Sequence, residues 1–163
     1  MEILGDYKVS VIRAFREIEP DFEKLDGLII AGSHEPKETE FLIGKITEAR
    51  QTGRPFYGEC FGHQLAGIEY ARSVLGIKDA TSEEWGQGTY VVKKRSELKV
   101  GLHDGESFWS NYEVVINFEN PPNFVTCQFH ASYQSSLGNF HPLLVRFIDL
   151  CRNWTGNIGG RHL

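Results

Sequence analysis

The first half of the chain alternates between two hydrophobic patterns. Unbroken apolar runs at 25–33 (LDGLIIAGS) and 54–59 (RPFYGE) are typical of strands that are buried on both faces of a parallel sheet. Each run is followed by a segment with apolar residues at helical spacing, at 37–53 and 62–76. These segments predict two strand–helix units, and alternating units of this kind build an α/β sheet.

Particular residues define the predicted helical faces and their ends. Gly53 and Gly76 each follow a helical segment and are typical C-terminal stops. The predicted buried faces consist of Phe41, Leu42, Ile46 and Ala49 in the first helix and Leu65, Ile68, Ala71 and Leu75 in the second.

The pattern changes after residue 85. Short strand-like stretches at 88–93, 107–118 and 124–129 are followed by a helical segment at 141–153, which has Pro142 in its first turn. We therefore predict an α/β, flavodoxin-like parallel sheet flanked by helices, with a small antiparallel β insertion, in a single domain over residues 1–163.

Composition narrows the function classes. The chain has 163 residues, 40% of them hydrophobic, and a net charge of -5, which argues against nucleic acid as the main partner. No apolar run approaches the ~18 residues needed to span a bilayer, so no membrane association is expected. Three cysteines, an odd and low number, are typical of free thiols in a reducing compartment, and we predict a cytoplasmic protein.

The stretch GECFG at 58–62 combines a cysteine with two flanking glycines where a strand turns into a helix. A nucleophile elbow has this form, since small neighbours allow the tight turn that exposes the reacting residue. The helix N-terminus next to Cys60 favours a thiolate, and the N–H of Phe61 is placed to bind an oxyanion. The alternative is a buried structural cysteine in a strand–helix turn.

A thiol nucleophile needs a base, and histidine is the usual one. His63 lies one helical turn beyond Cys60 and is expected to point along the helix. His130 ends the strand-like stretch 124–129, and active sites collect at the carboxyl ends of parallel strands. We therefore predict His130 as the base, against the alternative of a hydrogen-bonded polar residue at a strand end.

A zinc site is the competing interpretation of these residues. The spacings Cys60-x-x-His63 and Cys127-x-x-His130 resemble two zinc half-sites. Residues three apart on a strand point to opposite faces, so Cys127 and His130 are poorly placed to share a metal. We predict no metal and no cofactor, and the chain has no G-x-x-x-x-G-K-[ST] nucleotide loop.

Three stretches carry a family resemblance that covers roughly residues 9 to 150. YGECFGHQ resembles the G-x-C-x-G-H/M-Q motif of class I glutamine amidotransferases, and the longer stretch 55–85 resembles the amidotransferase domain of CTP synthases, with its pattern G-I-C-L-G-M-Q-L-A-V-I-E-F-A-R-N-V-L. QFHASYQSSLGNFHPLLVRFI resembles the family's Q-F-H-P-E stretch and the helix after it, and LDGLIIAGS resembles its D-G-I-L-V-P-G-G oxyanion loop.

The resemblance implies an enzyme that hydrolyses the side-chain amide of glutamine, or of a γ-glutamyl analogue, to an acid and ammonia. It implies Cys60 as nucleophile and His130 as acid and base. The remaining roles that it implies are oxyanion binding by Gly32, Ser33 and Phe61, and substrate binding by Gln64 and Glu84 and at the position of Asn111.

The chain departs from the family pattern in three places. Ala131 and Ser132 replace the Pro-Glu after the histidine, Asn111 replaces an arginine that meets the substrate carboxylate, and Ser33 replaces the second glycine of the oxyanion loop. Ser132 then occupies the third position of the triad without a charge, so we expect slow hydrolysis that Ser132→Glu accelerates. The alternatives are an inactive relative that acts as a binding or regulatory subunit, and hydrolysis of another γ-glutamyl amide.

The resemblance also implies a shortened N-terminus. The spacing from 8–15 to 25–33 matches the family's second and third strands, which leaves the central first strand unaccounted for. The alternative, in which residues 2–7 form the first strand and the edge strand is lost, needs an unusual loop. Since no synthase domain is evident, an ammonia acceptor would belong to a partner synthase chain, and a second copy of the chain is the other partner considered.

Overall fold

The structure is a computed structural model that describes residues 25–136 and 138–155. Strands β1 (Leu28–Ile30), β2 (Phe56–Glu59) and β6 (Phe124–Cys127) form a parallel sheet in the order β1-β2-β6. In register, Leu28 lies opposite Phe56, and Glu59 lies opposite Cys127. The carboxyl ends of β2 and β6 therefore lie side by side, which brings the segments that follow these two strands together.

A second sheet consists of β3 (Ala80–Ser82), β4 (Thr89–His103) and β5 (Glu106–Val114). β4 and β5 are antiparallel, and Asp104 and Gly105 connect them with φ of 52° and 85°. Two consecutive positive φ values are typical of a two-residue hairpin turn, for which Asp-Gly is a favoured sequence. β3 pairs in parallel with β4, so the predicted antiparallel insertion is a mixed sheet.

Three α-helices flank the parallel sheet: α1 (Thr39–Thr52), α2 (Phe61–Ser73) and α3 (Pro142–Asn153). Because side chains alternate along a strand, β2 contributes Phe56 to the core under α1 and α2, and Tyr57 to a second core under α3. A short 3₁₀ helix, Ala131–Gln134, follows β6 and lies between these layers and the second sheet. The predicted α/β architecture of a helix-flanked parallel sheet is therefore confirmed within the described residues.

The boundaries differ from the predictions in ways that packing explains. β4 runs to His103 and not to residue 93, because its partner β5 continues the ladder through polar sequence. α2 ends at Ser73, which leaves Leu75 outside the helix and exposed, and Phe41 of α1 is exposed while Ile43 is buried. The predicted segment 8–15 and the question of the N-terminal strands lie outside the described residues.

Gly58 and Gly62 are required by close backbone packing around Cys60. A Cβ on Gly62 would overlap the carbonyl oxygen of Ile30, and a Cβ on Gly58 would lie 2.9 Å from the backbone carbonyl of Gly62. Neither position has room for a side chain. The two glycines thus let the first turn of α2 sit directly against β1 and β2.

This packing predicts opposite effects for two glycine-to-alanine substitutions in helices. Gly62→Ala should lower the free energy of unfolding by about 1 to 3 kcal/mol or more, because the new methyl group meets rigid backbone. Gly44→Ala, in α1, is the matched control: its Cβ meets nothing within 4 Å. It should raise the free energy of unfolding by about 0.5 to 1 kcal/mol through helix propensity. Urea unfolding measures both, and equal effects would contradict the packing argument.

Candidate active site

Cys60 occupies the turn between β2 and α2 in an unfavourable backbone conformation. Its φ is 50° and its ψ is -98°, a combination that non-glycine residues rarely adopt. The backbone is held there by hydrogen bonds from Cys60 N to the Cys127 carbonyl and from Gln64 N to the Cys60 carbonyl. Strain of this kind persists only where the surroundings impose it, and it is concentrated at functional sites.

The Cys60 thiol has polar neighbours from three elements. The backbone N–H of Phe61 donates to the sulfur, Gln128 Nε2 lies 3.7 Å from Sγ, and Sγ lies 3.7 Å from the Trp109 carbonyl oxygen on β5. The side chain is 7% exposed. The sulfur thus lies at the meeting point of α2, the loop after β6 and β5.

Burial raises the pKa of Cys60 to about 11. The N–H of Phe61 and the Gln128 amide lower this pKa, and the Glu59 and Glu84 carboxylates raise it. The sequence predicted that the helix N-terminus would favour a thiolate, and this expectation is wrong for the resting site because desolvation outweighs the N–H groups. A thiol in this state needs a base to remove its proton as it reacts.

His130 lies beside Cys60, with Gly32 between them. The point where a Gly32 Cβ would stand is 2.5 Å from His130 Cε1 and 3.5 Å from Cys60 Cβ, so both side chains border the same small space. The Tyr133 ring stacks on the imidazole at 4.6 Å. His130 is 5% exposed, and its Nε2 is buried without a hydrogen-bond partner. This nitrogen is therefore free to take a proton, although it is not hydrogen-bonded to the sulfur.

The other ring nitrogen of His130 faces a carboxylate. Nδ1 lies 3.3 Å from Oε1 of Glu59, the residue directly before Cys60. The expectation that His130 lacks a carboxylate neighbour, because Ser132 replaces the family's glutamate, is therefore wrong. Ser132 does not accept a hydrogen bond from the ring either: its Oγ donates to Glu59 Oε1 at 2.6 Å.

This contact also overturns the expected effect of Ser132→Glu. A carboxylate at position 132 would lie beside the carboxylate of Glu59, and two like charges at this distance oppose each other. The sequence signal for Glu59 was present but missed. A glutamate is unusual at the end of a buried strand that is otherwise apolar, because a buried carboxylate needs hydrogen-bond partners. Its position directly before the elbow cysteine places it next to the candidate site.

His63 and the cysteines form no metal site. His63 Nδ1 lies 3.0 Å from Thr126 Oγ1, and burial lowers the pKa of His63 to about 4, which keeps the ring neutral. Throughout residues 25–136 and 138–155, no group of three or more His, Cys, Asp or Glu side chains is placed to hold a metal ion.

A pocket of about 80 Å³ opens beside the Cys60 sulfur. Its walls come from the loop after β1, the first turn of α2, the loop after β3, and β5. The lining residues are Ser33, His34, Cys60, Gln64, Glu84, Trp109, Ser110, Asn111 and Tyr112. The predicted substrate-binding positions are thus gathered around the predicted nucleophile.

The pocket carries charge as well as amide groups. Gln64 is 4% exposed and donates from Nε2 to the Tyr112 carbonyl at 3.4 Å. Burial raises the pKa of Glu84, and a nearby His34 lowers it. His34 also packs edge-to-face on Trp109 at 5.4 Å. From the sequence, His34 is interpreted as a surface or loop residue, because its position near Glu84 depends on how two loops pack.

The predicted oxyanion-binding residues lie on two sides of the thiol. Phe61 begins α2, and its N–H already points at the sulfur. Gly32 and Ser33 follow β1, and the Ser33 hydroxyl donates to the Glu35 carbonyl and accepts from the Glu35 N–H. The serine in place of the second glycine thus closes a local turn, while Gly32 provides the space that the imidazole occupies.

A helix-flanked parallel sheet, a strained cysteine at a strand–helix turn and a buried histidine beside it thus define the candidate site. A sequence model of the family described as glutamine amidotransferase class-I matches residues 4–120. The chain belongs to this family.

Several CTP synthases are similar to this chain. The CTP synthase of Methanoculleus marisnigri is 29% identical over 81% of this chain and 35% of its own length, and that of Methanoregula boonei is 49% identical over 53% of this chain and 16% of its own length. The chain thus spans about a third or less of these relatives. The solved glutaminase domain of Trypanosoma brucei CTPS with bound acivicin matches with a TM-score of 0.67 at 18% identity, covering 80% of this chain and 72% of that one.

Within the described ranges, no helix combines the length and the apolar character that a membrane span requires.

The three thiols should differ in their reactivity toward iodoacetamide. Burial raises the pKa of Cys127 and of Cys151 to about 12, above that of Cys60. Cys60 should therefore be alkylated first. Its rate should rise about tenfold per pH unit between pH 7 and 10, because the thiolate fraction grows in this way below the pKa. Peptide mass mapping over this range tests both points. Earlier labelling of Cys127 or Cys151 would contradict the order, and a rate plateau below pH 8 would contradict the raised pKa.

Proposed function

We propose that this domain hydrolyses the side-chain amide of glutamine, with Cys60 as the nucleophile and His130 as the general acid and base. The observation that carries the proposal is the placement of a strained elbow cysteine next to a buried imidazole whose Nε2 has no partner. Membership in the class I glutamine amidotransferase family supports the choice of substrate.

The first half of the reaction forms a thioester. As Cys60 Sγ attacks the amide carbon, the thiol proton passes to His130 Nε2, and the carbonyl electrons move onto the oxygen. The imidazolium then returns this proton to the amide nitrogen, the C–N bond breaks, and ammonia leaves. Because the resting cysteine is a thiol, proton transfer to His130 accompanies the attack and does not precede it.

The second half releases glutamate. A water molecule attacks the thioester carbon while His130 Nε2 takes one of its protons. The C–S bond then breaks, and the sulfur recovers the proton from His130. In total, one glutamine and one water give one glutamate and one ammonia, and the enzyme returns to its starting state.

The negative charge that develops on the carbonyl oxygen needs N–H donors. The N–H of Phe61, at the start of α2, lies beside the sulfur and is the first candidate. We propose that the N–H groups of Gly32 and Ser33 complete this oxyanion site from the opposite side.

The polar ends of glutamine would meet the far walls of the pocket. We assign the α-amino group to Glu84, whose partly desolvated carboxylate strengthens its attraction for a cation. Gln64 would contact the backbone side of the substrate. Asn111 and His34 are the side chains that could meet the α-carboxylate, in place of the arginine that the family pattern has.

The ammonia that this reaction releases needs an acceptor. The curated relatives are CTP synthases of which this chain spans about a third or less. We propose that a synthase chain or domain receives the ammonia, and that glutamine or a γ-glutamyl compound is the small molecule bound.

Glutaminase activity should depend on one of the three cysteines. Cys60→Ala should reduce glutamate release by on the order of 10⁴-fold or more, since no other thiol lines the pocket. Cys151→Ala, in α3, is the matched control and should retain the wild-type rate. Ammonia and glutamate should appear in equal amounts in a coupled assay. If folded wild-type protein shows no Cys60-dependent turnover, the domain acts as a binding or regulatory subunit instead.

Asn111→Arg tests how the α-carboxylate is held. A charge-assisted hydrogen bond is worth about 1.5 kcal/mol, so KM for glutamine should fall roughly tenfold while kcat changes little. Asn111→Met, which has length but no charge, should not lower KM. If Asn111→Arg leaves KM unchanged or raises it, the α-carboxylate does not bind at this wall, and γ-glutamyl amides without a free α-carboxylate become the substrates to assay.

A further inference from the structure

We infer that Glu59, the residue directly before Cys60, is the acid that orients the His130 ring and stabilises its protonated form. Ser132 holds the Glu59 carboxylate in place. The inference rests on the proposed function for its catalytic meaning. It assigns the third member of the triad to a strand that the family pattern leaves apolar at this position, and it removes the reason to expect a weakened enzyme.

The strand geometry directs Glu59 toward the histidine. Glu59 is the last residue of β2, and side chains two apart on a strand share a face, so it points to the same side as Tyr57. This is the α3 side of the sheet, where the 3₁₀ helix begins directly after His130. Cys60, one residue further on, borders the small space at Gly32 that His130 Cε1 also borders. Two consecutive residues, Glu59 and Cys60, thus lie close to the same imidazole.

The carboxylate of Glu59 is fully provided with donors. Tyr57 OH donates to Oε2 at 2.9 Å, Ser132 N to Oε2 at 2.9 Å, and Ser132 Oγ to Oε1 at 2.6 Å. His130 Nδ1 completes the set at 3.3 Å from Oε1. Glu59 is 2% exposed, and a carboxylate at this depth is tolerated only with such partners.

Two acidic groups next to Glu59 keep their protons. Burial raises the pKa of Tyr57 above its ordinary range, with Cys127 and Glu59 adding to the effect, so the phenol remains a donor. Burial likewise raises the pKa of Cys127 to about 12. The next carboxylate, Glu106, pairs with His141 at 3.5 Å and not with His130.

Positions 59 and 132 both differ from the family pattern, and the carboxylate lies at the other position of the two. That pattern places isoleucine before the cysteine and glutamate two residues after the histidine, whereas this chain has Glu59 and Ser132. Their side chains touch at 2.6 Å. In this chain the carboxylate next to the imidazole comes from Glu59, and Ser132 is one of its hydrogen-bond donors.

This arrangement determines which nitrogen of His130 reacts. The 3.3 Å contact between Nδ1 and Glu59 Oε1 favours the tautomer with its proton on Nδ1, which leaves the lone pair on Nε2, the unpartnered, buried atom. When Nε2 takes the thiol proton, the imidazolium is stabilised by the carboxylate on its other side. Tyr133, stacked on the ring, restricts access of water to it.

The experiment measures the His130 imidazole directly, so it does not depend on glutaminase activity. The pKa and tautomer of His130 are followed by NMR in selectively labelled wild type and Glu59→Gln, which keeps the shape and removes the charge. Removing the adjacent carboxylate should lower the pKa of His130 relative to wild type, because the imidazolium loses a neighbouring negative charge. Tyr57→Phe, which removes one donor to Glu59 without contacting His130, is the control and should shift this pKa much less.

A double variant tests the exchange of positions. Glu59→Gln/Ser132→Glu returns a carboxylate to position 132 and should restore most of the His130 pKa. If Glu59→Gln does not fold, this double variant decides alone: a His130 pKa equal to that of wild type supports the inference, and one clearly below that of wild type overturns it.

Steady-state kinetics of Glu59→Gln distinguishes a role in positioning His130 from a role in binding glutamine. Glu59→Gln should lower kcat for glutamine by about 10²- to 10⁴-fold with little change in KM. A folded Glu59→Gln protein with an unchanged His130 pKa would overturn the inference. If wild type does not hydrolyse glutamine but the His130 pKa falls in Glu59→Gln, the proposed substrate is wrong, whereas the assignment of Glu59 is supported.

Discussion

The close approach of α2 to the parallel sheet is the constraint on which the site depends. The first turn of α2 sits so near β1 that a single methyl group at Gly62 would overlap the Ile30 carbonyl oxygen. This contact fixes the helix N-terminus at the carboxyl edge of the sheet. Cys60 is thereby forced to a positive φ, and its sulfur is held beside the Phe61 N–H. The strain at one residue is balanced by packing that extends over two strands and a helix.

Burial is the second physical factor, and it acts differently on each group of the site. It raises the pKa of Cys60, so the nucleophile rests as a thiol despite the helix N-terminus. It leaves Nε2 of His130 without a partner, whereas the same nitrogen on an exposed ring would be hydrogen-bonded to water. It also makes the donors around Glu59 necessary, because an uncompensated carboxylate at that depth is too costly. The same buried environment thus keeps the Cys60 thiol protonated, leaves Nε2 of His130 without a partner and requires donors around the Glu59 carboxylate.

Much of the fold followed from periodicity. The two buried strands, the helices after them and the closing helix at Pro142 were predicted because each carries a strong local signal: an apolar run, a helical face, a glycine stop or an N-terminal proline. The ends were less predictable. β4 extends ten residues beyond residue 93, to His103, because its pairing with β5 stabilises polar sequence that has no strand pattern of its own.

The sequence by itself determined the elbow and the choice of Cys60 and His130 as the candidate pair, because the glycine spacing and the strand-end position are properties of the local chain. Only the tertiary structure decided what surrounds the imidazole. Glu59 and Ser132 are 73 residues apart in sequence, and they meet because β2 and β6 are parallel neighbours in register at Glu59 and Cys127. His34 likewise reaches Glu84 through the packing of two loops. No local pattern records such contacts, since they depend on which strand ends lie side by side.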